Sequence, residues 1–500
     1  MKTLLPNTSK KNLWLIIGIG IFCFLLYTLF LCFRPQKSWC DDAFWADWAR
    51  QLAVHNRYYT TVWGFGHPSY CPLYVFIMAL WYKIVGFSFF TAQFPNIIFT
   101  LITYLILSLI LTERKKLNST QGIICFSTLF WLSPSMFQIY NCGRIEVLCL
   151  LLGILTSYNF IRAIETHDLS HRILLFIFSL LLFATGVEGV VFATLSIVVY
   201  SVFYYKEAWS YKLIYVWHFG GYITSLGCLS VITWYTHCLH QFYDTMFGFS
   251  KTLSSFYFYI RALVKGIKQN EITIDNMSQI PTSNATKGSF IQSLLDGIFL
   301  NKEYLVLVIS LFFLFCVLCY VVKWKKIHKS TIMMTTLAII TPIVYVLAGR
   351  YVSYYTWTAY IPTIIAIVLV IEQLGYKWLP IGMTAFLSML FFSPYNHLLY
   401  EFDLTHQRDK QNIADIRQAQ INPSIPTVIP YQWYYYVVNS NENIYFQGSG
   451  AYPEDLSVII YSPKDYNEEQ FMNRYELKER TTIGDKIIFD IISLKNKEHN

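Results

Sequence analysis

The residues best suited to chemistry stand in a few short stretches. Asp41 and Asp42 are adjacent and follow an apolar run that ends at Phe33. Gly143-Arg144-Ile145-Glu146 sets a base two residues from an acid, directly before the apolar run Val147 to Leu155. Gly349-Arg350-Tyr351 supplies another guanidinium, with Tyr354, Tyr355 and Trp357 close behind it, and His67 precedes Pro68. A carboxylate can orient a hydroxyl and accept its proton, and a guanidinium presents planar, permanently charged donors that suit a phosphate. Each stretch also has a plainer reading. Asp41 or Asp42 can cap a following helix, Arg144 and Glu146 can form a surface pair, Arg350 can snorkel beside an aromatic belt, and His67 can be an ordinary polar loop residue.

The elements that must position these groups are set by the bilayer. The chain has 500 residues, 55% hydrophobic, 18% aromatic and only 14% charged, against roughly 25% charged in an ordinary soluble domain. That excludes a disordered chain and a nucleic-acid module. Crossing ~30 Å of hydrocarbon takes about 20 apolar residues, and Leu13 to Phe33 meets that length without a charge. It is too long for a signal-peptide core and no small-residue cleavage site follows, so it is expected to remain as an anchor. Further apolar blocks lie near 88 to 111, 122 to 140, 145 to 161, 172 to 187, 189 to 204, 213 to 235, 304 to 322, 331 to 348, 356 to 373 and 378 to 394. The expected fold is therefore an α-helical polytopic membrane protein of about 11 transmembrane helices.

Basic residues in short loops set the orientation. Lys2, Lys10, Lys11, Arg114, Lys115, Lys116, Arg162, Arg172, Lys206, Lys212, Lys323, Lys325, Lys326, Lys329 and Lys377 fall on one side. The other side's short loops hold almost none, apart from Arg144 and Arg350. The N-terminus is thus expected in the cytoplasm and the C-terminal segment outside. Residues 401–500 hold 15 Asp plus Glu and 10 Lys plus Arg, a net of −5, which leaves +13 of the total +8 for the other 400 residues. This asymmetry accounts for the basic balance without nucleic acid.

Residues 1–395 are expected to form the membrane domain, with a first outer loop over 34–87 and a second large one over 236–302. Amphipathic stretches in the second loop, around Phe242 to Ile267 and Phe290 to Phe299, are suited to covering a lipid tail or gating entry. Residues 396–500 are expected to form a small α/β domain outside the membrane, with strands at Pro426 to Pro430, Leu456 to Tyr461, Tyr475 to Thr482 and Lys486 to Leu494 and a helix around Asp465 to Arg474. Glu442 to Gly448 reads ENIYFQG, which resembles a protease recognition site, but ordinary sequence continues on both sides and the stretch is read as native. In the first outer loop Phe44, Trp45, Trp48 and Leu52 recur at helical spacing, so a helix should lie in the membrane interface after the aspartates, and Leu73 to Val85 should do the same. Cys40 and Cys71 share this loop, and whether they pair is open. No CxxC pair with a matching His pair occurs, which argues against a zinc site. Three outer elements thus bring charge to one membrane level, and Glu188, at a fourth outer turn, is a weaker candidate. Chance snorkelling should not select carboxylates twice there.

With these residues in place, the chain resembles the GT-C glycosyltransferases, in particular the group of lipid A aminoarabinose transferase and the protein O-mannosyltransferases. The first outer loop opens on an acidic pair and an interfacial helix, Asp41-Asp42-Ala43-Phe44-Trp45-Ala46-Asp47-Trp48-Ala49. A proline-containing segment follows, from His67-Pro68 to Val85-Gly86; the next outer hairpin carries Arg144 and Glu146, and a late loop carries Arg350-Tyr351 ahead of Ile361-Pro362. The resemblance runs over roughly residues 10 to 395. The hairpin acid is Glu where many relatives have Asp, and His67 stands where the aminoarabinose transferases have an acidic residue and a lysine.

The resemblance implies an enzyme of the bacterial inner (plasma) membrane, acting in the cell envelope, that takes a sugar from a polyprenyl-phosphate donor and passes it, with inversion, to a lipid, glycan or protein acceptor on the outer side. It implies Asp41 as base, Asp42 and Glu146 as catalytic supports, and Arg144, Arg350, Tyr351 and His67 as substrate-binding residues. It implies no certain cofactor and leaves a divalent metal open. The competing class is a transporter or flippase of envelope lipids or glycans without group transfer, which would place its charges near the midplane and show internal repeats; no convincing repeat is visible.

Overall fold

The computed structural model describes residues 10–33, 42–57, 72–133, 136, 139, 143–235, most of 307–319, 327–347, 355–374, 410–422, 424–430, 433–439, 443–446, 455–461, 475–483 and 486–494. The chain divides into two compact units: one of Met1–Tyr27, Ile97–Asn141 and Ile145–Asn396, the other of Thr28–Asn96, Cys142–Arg144 and His397–Asn500.

The helical series is α1 Lys10–Phe33, α2 Asp42–His55, α3 Pro72–Val85, α4 Phe89–Glu113, α5 Thr120–Leu132, α6 Glu146–Thr166, α7 Leu169–Phe183, α8 Val187–Phe203, α9 Tyr205–Ser210, α10 Leu213–Tyr235, α11 Lys329–Leu347 and α12 Trp357–Leu374. Among the described residues, three helices are long and apolar enough to cross a membrane, over Lys11–Phe33, Phe89–Glu113 and Glu146–Thr166. Shorter apolar helices, such as Thr120–Leu132, Leu169–Phe183 and Val187–Phe203, fall where further spans are expected. The block at 378 to 394 lies outside the described residues.

The block expected over 122 to 140 breaks at Leu132, and the reason is local. Ser133 precedes Pro134, whose ring disfavours the helical region for the residue before it; Ser133 is extended, at φ −76° and ψ 144°. At ~1.5 Å per residue, the 13 residues of α5 reach ~20 Å.

In the first unit the helix ends are closed by short polar devices. Ser119 caps α5 by accepting from the Gly122 N–H at 2.9 Å. The Glu372 carboxylate of α12 accepts from the Ser119 N–H at 3.1 Å and the Ser119 hydroxyl at 2.7 Å, supplying orphan donors at a helix start with a charged acceptor. His167 ends α6 in the left-handed region (φ 55°), and the next residue, Asp168, caps α7 through the Ser170 N–H at 3.0 Å. A core of Phe160, Leu175, Ile197, Ile214 and Leu337 joins α6, α7, α8, α10 and α11.

The second unit contains α2, α3, the first two turns of α4 and a five-stranded sheet of β1 Thr427–Ile429, β2 Ile444–Phe446, β3 Val458–Tyr461, β4 Tyr475–Ile483 and β5 Lys486–Leu494. The strand order is β2-β1-β3-β5-β4. β1 pairs in parallel with both β2 and β3, while β5 runs antiparallel to β3 and β4. Val428, Leu456, Ile459, Tyr475 and Phe489 form its core. β4 closes the sheet with Lys478, Glu479 and Arg480 exposed, the charge that keeps an edge from recruiting another strand. Four strands fall where the alternation placed them. β2 lies inside Glu442 to Gly448, so that stretch is a strand of this sheet. The expected helix around Asp465 to Arg474 lies outside the described residues.

Candidate functional site

The start of α2 is far more buried than an interfacial helix would be. The aromatic residues Trp45 and Trp48 pack as expected, with ring centroids 6.0 Å apart, but Asp42, Asp47, Arg50 and Gln51 are buried as well. Buried charge needs partners, and the second unit supplies them from α4 and from the segment 433–439. Asp42 is fully buried and accepts from the Gln93 Nε2 of α4 at 2.9 Å. Asp47 accepts from the Tyr434 hydroxyl at 3.2 Å, and the Arg50 guanidinium donates to the Val438 carbonyl at 3.3 Å while sitting 5.8 Å from the centre of the Phe87 ring. Tyr435 stacks on Phe87 with centroids 6.3 Å apart and meets Phe89 edge-on at 5.0 Å. Burial first, and the Asp42 carboxylate second, push the phenols of Tyr82 and Tyr435 well above the usual tyrosine range, so both keep their protons.

One turn beyond Gln93, Asn96 serves the other candidate stretch. Its Nδ2 donates to the Arg144 carbonyl at 2.7 Å, and its Oδ1 accepts from the Tyr74 hydroxyl at 3.2 Å. Gly143 is needed where it stands: a Cβ there would lie 2.8 Å from the Ala92 carbonyl oxygen, so any side chain would push the Arg144 turn away from α4. The beginning of α4 therefore holds the acidic head of α2 on one side chain and the basic turn on another. Between them Pro95 lacks an N–H, which leaves the Thr91 carbonyl without its helical donor. The Trp81 indole of α3 donates to that carbonyl at 2.9 Å.

In the first unit, Glu146 opens α6 and is 2% exposed. Arg144 is 5% exposed, so the surface-pair reading of these two residues does not hold. Glu188, in the first turn of α8, accepts from the Tyr355 hydroxyl at 2.8 Å. A Cβ on Gly186 would sit 2.8 Å from the Cys149 sulfur and 3.0 Å from Glu188 Oε2, so the starts of α6 and α8 are in close contact. Asp41, His67, Arg350 and Tyr351 lie outside the described residues, as do Cys40 and Cys71.

Sequence reasoning passed over Asp47, Arg50, Gln93, Asn96, Tyr434 and Tyr435. A signal existed for two of them: Asp47 and Arg50 fall on the polar side of the α2 pattern at i and i+3, where a pair of opposite charges supports a helix. Among the described residues, no three of His, Cys, Asp and Glu come close enough together to hold a metal ion.

No family model matches the chain, and no curated protein does. Solved structures similar to it include ArnT from Cupriavidus metallidurans bound to undecaprenyl phosphate, at 10% identity and a TM-score of 0.47 over 97% of this chain and 98% of that one. The apo state of that protein is similar at 11% identity and a TM-score of 0.45, over 96% and 98%. The Archaeoglobus fulgidus oligosaccharyltransferase tethered with an acceptor peptide is similar at 10% identity and a TM-score of 0.45, over 90% of this chain and 69% of that one. Both proteins are GT-C glycosyltransferases. At one identical residue in ten and TM-scores below 0.5, these likenesses carry no weight for substrate or mechanism, and the chemistry of the site is read from its own residues.

Proposed function

We propose that the chain is an inverting membrane glycosyltransferase of the GT-C type that moves a sugar from a polyprenyl-phosphate donor to a lipid, glycan or protein acceptor on the outer side of the membrane. Eleven spans, a cytoplasmic N-terminus and an outer C-terminal domain go with this reading, in a bacterial inner membrane. The acceptor oxygen attacks the anomeric carbon, the carbon–oxygen bond to the phosphate breaks with its electron pair leaving on the phosphate, and the acceptor proton passes to Asp41. Asp42 and Glu146 support the acceptor and the sugar. Arg144 and Arg350 neutralise the leaving phosphate, with Tyr351 and His67 as further contacts.

The observation that carries this reading is the shared anchorage at the start of α4. Gln93 holds the Asp42 carboxylate and Asn96 holds the Arg144 main chain, one turn apart. A buried carboxylate beside the proposed base and a turn that carries a guanidinium, both tied to one helix end, suit a transfer that must orient an acceptor and stabilise a leaving phosphate. The test is transfer by purified protein given a panel of polyprenyl-phosphate sugars, with Asp41→Asn and Arg350→Ala beside the wild type. Asp41→Asn is expected to keep donor binding and lose turnover, by a factor on the order of 10² to 10⁴ for a lost base. Arg350→Ala is expected mainly to weaken donor binding. Full turnover by Asp41→Asn removes Asp41 from the role of base, and unchanged donor affinity in Arg350→Ala returns that residue to snorkelling.

A further inference from the structure

A separate cavity of about 280 Å³ lies within the first unit, between α4, α6, α8, α11 and α12. It is nearly twice the ~150 Å³ of an apolar cavity known to admit a benzene ring, and close to the lower end of the ~300 to 1,000 Å³ typical of ligand sites. Its walls are almost wholly apolar, with Leu107, Ile154, Phe192, Leu337 and Ile365 among them. Ser157, Tyr158, Ser196 and Tyr200 also line it, while its charged lining residues, Arg114, Lys116 and Glu165, lie at or just past the C-terminal ends of α4 and α6, with Tyr204 directly after α8 and Ser330 at the start of α11. These are the ends that the loop charges place on the cytoplasmic side.

The charges at that end are not balanced. Glu165 is the acid in the lining, and it is engaged by Arg114 at 2.5 Å and by Arg162 at 3.7 Å. Lys116 is half-buried and forms no ion pair among the described residues. The Ser330 hydroxyl is buried without a hydrogen-bond partner among the described residues, and its neighbour Lys329 sits 4.0 Å from the centre of the Tyr204 ring. An apolar chamber ending in an uncompensated ammonium and an idle hydroxyl matches an amphiphile with an anionic head.

We propose that this cavity binds one acyl chain of an anionic phospholipid, with its phosphate against Lys116 and the Ser330 hydroxyl. The site is independent of the transferase reading and needs neither donor nor acceptor.

The experiment uses the full chain in detergent, with bound lipid counted by native mass spectrometry and thermal stability followed in parallel. The probes are phosphatidylglycerol, phosphatidylcholine with the same tails, and inorganic phosphate. Retention and stabilisation by phosphatidylglycerol over phosphatidylcholine are expected, with no effect of inorganic phosphate. Lys116→Gln, at a half-buried position, is expected to cut phosphatidylglycerol affinity about fivefold and to leave phosphatidylcholine unchanged. Ser196→Phe, which fills the chamber, is expected to weaken both lipids. Equal binding of the two lipids by wild type and by Lys116→Gln means boundary lipid only and overturns the proposal. Stabilisation by inorganic phosphate alone reduces the site to a surface anion contact and overturns it too.

Discussion

Replacing Gln93 by Leu keeps the side-chain volume and removes one defined interaction, the donation from Nε2 to Asp42 at 2.9 Å. Both residues are fully buried, so water does not make up the loss. The contact from Gln93 to the Tyr435 hydroxyl, at 3.5 Å, is at the limit of a hydrogen bond and contributes little. A hydrogen bond to an ionised group is worth ~1.5 to 3 kcal/mol, and one pH unit corresponds to ~1.4 kcal/mol. Because the amide donor favours the ionised carboxylate, its removal disfavours the ionised form of Asp42 by an energy of that order. If ionised Asp42 supports transfer, the acid limb of the rate profile should move to higher pH, with the high-pH plateau kept. The assay is transfer rate against pH on purified wild type and Gln93→Leu, with folding checked by thermal unfolding. An acid limb that stays in place in a folded variant refutes the reasoning, and an equal loss at every pH assigns Gln93 to packing instead.

Three further outcomes follow from the second unit. Tyr434→Phe should destabilise it by ~1.5 to 3 kcal/mol, because the Tyr434 hydroxyl donates to buried Asp47, and a melting temperature within error of the wild type would count against that bond. Asp415→Ala should cost ~3 to 5 kcal/mol, since it strips a buried partner from Lys486 at 3.5 Å, whereas Arg480→Ala, which opens the exposed pair with Asp490, should cost under ~1 kcal/mol; paired thermal melts compare the two directly. Gly143→Ala should lower both stability and transfer, because its methyl meets the Ala92 carbonyl; retained transfer would detach the Arg144 turn from the site.

Periodicity carried most of the architecture. Lys486 to Leu494 and Tyr475 to Ile483 are strands where they were expected, although their pairing shifts register between Glu476 and Leu477 and between Glu479 and Thr481, and Pro72–Val85 formed a helix within one residue of its expected start. Periodicity says how long an apolar face is, and it does not say what covers it. That is why α2 read as a half-immersed helix: its partners, Tyr434 and Val438, are nearly 390 residues away in sequence. Gln93 and Asn96 were hidden for a different reason. They are neutral polar residues in an apolar run, and only the contact with Asp42 and with the Arg144 carbonyl gives them meaning. The short helix Tyr434–Val437 is three tyrosines and a valine, a composition that favours strands in isolation.

The indole of Trp81 takes a main-chain acceptor that Pro95 has released from the helix ladder, so α3 grips α4 by its backbone, two residues ahead of Gln93. A helix held that way acts as a lever. A displacement of α3 at Trp81 is thus delivered through the Thr91 carbonyl to the turn of α4 that holds Asp42.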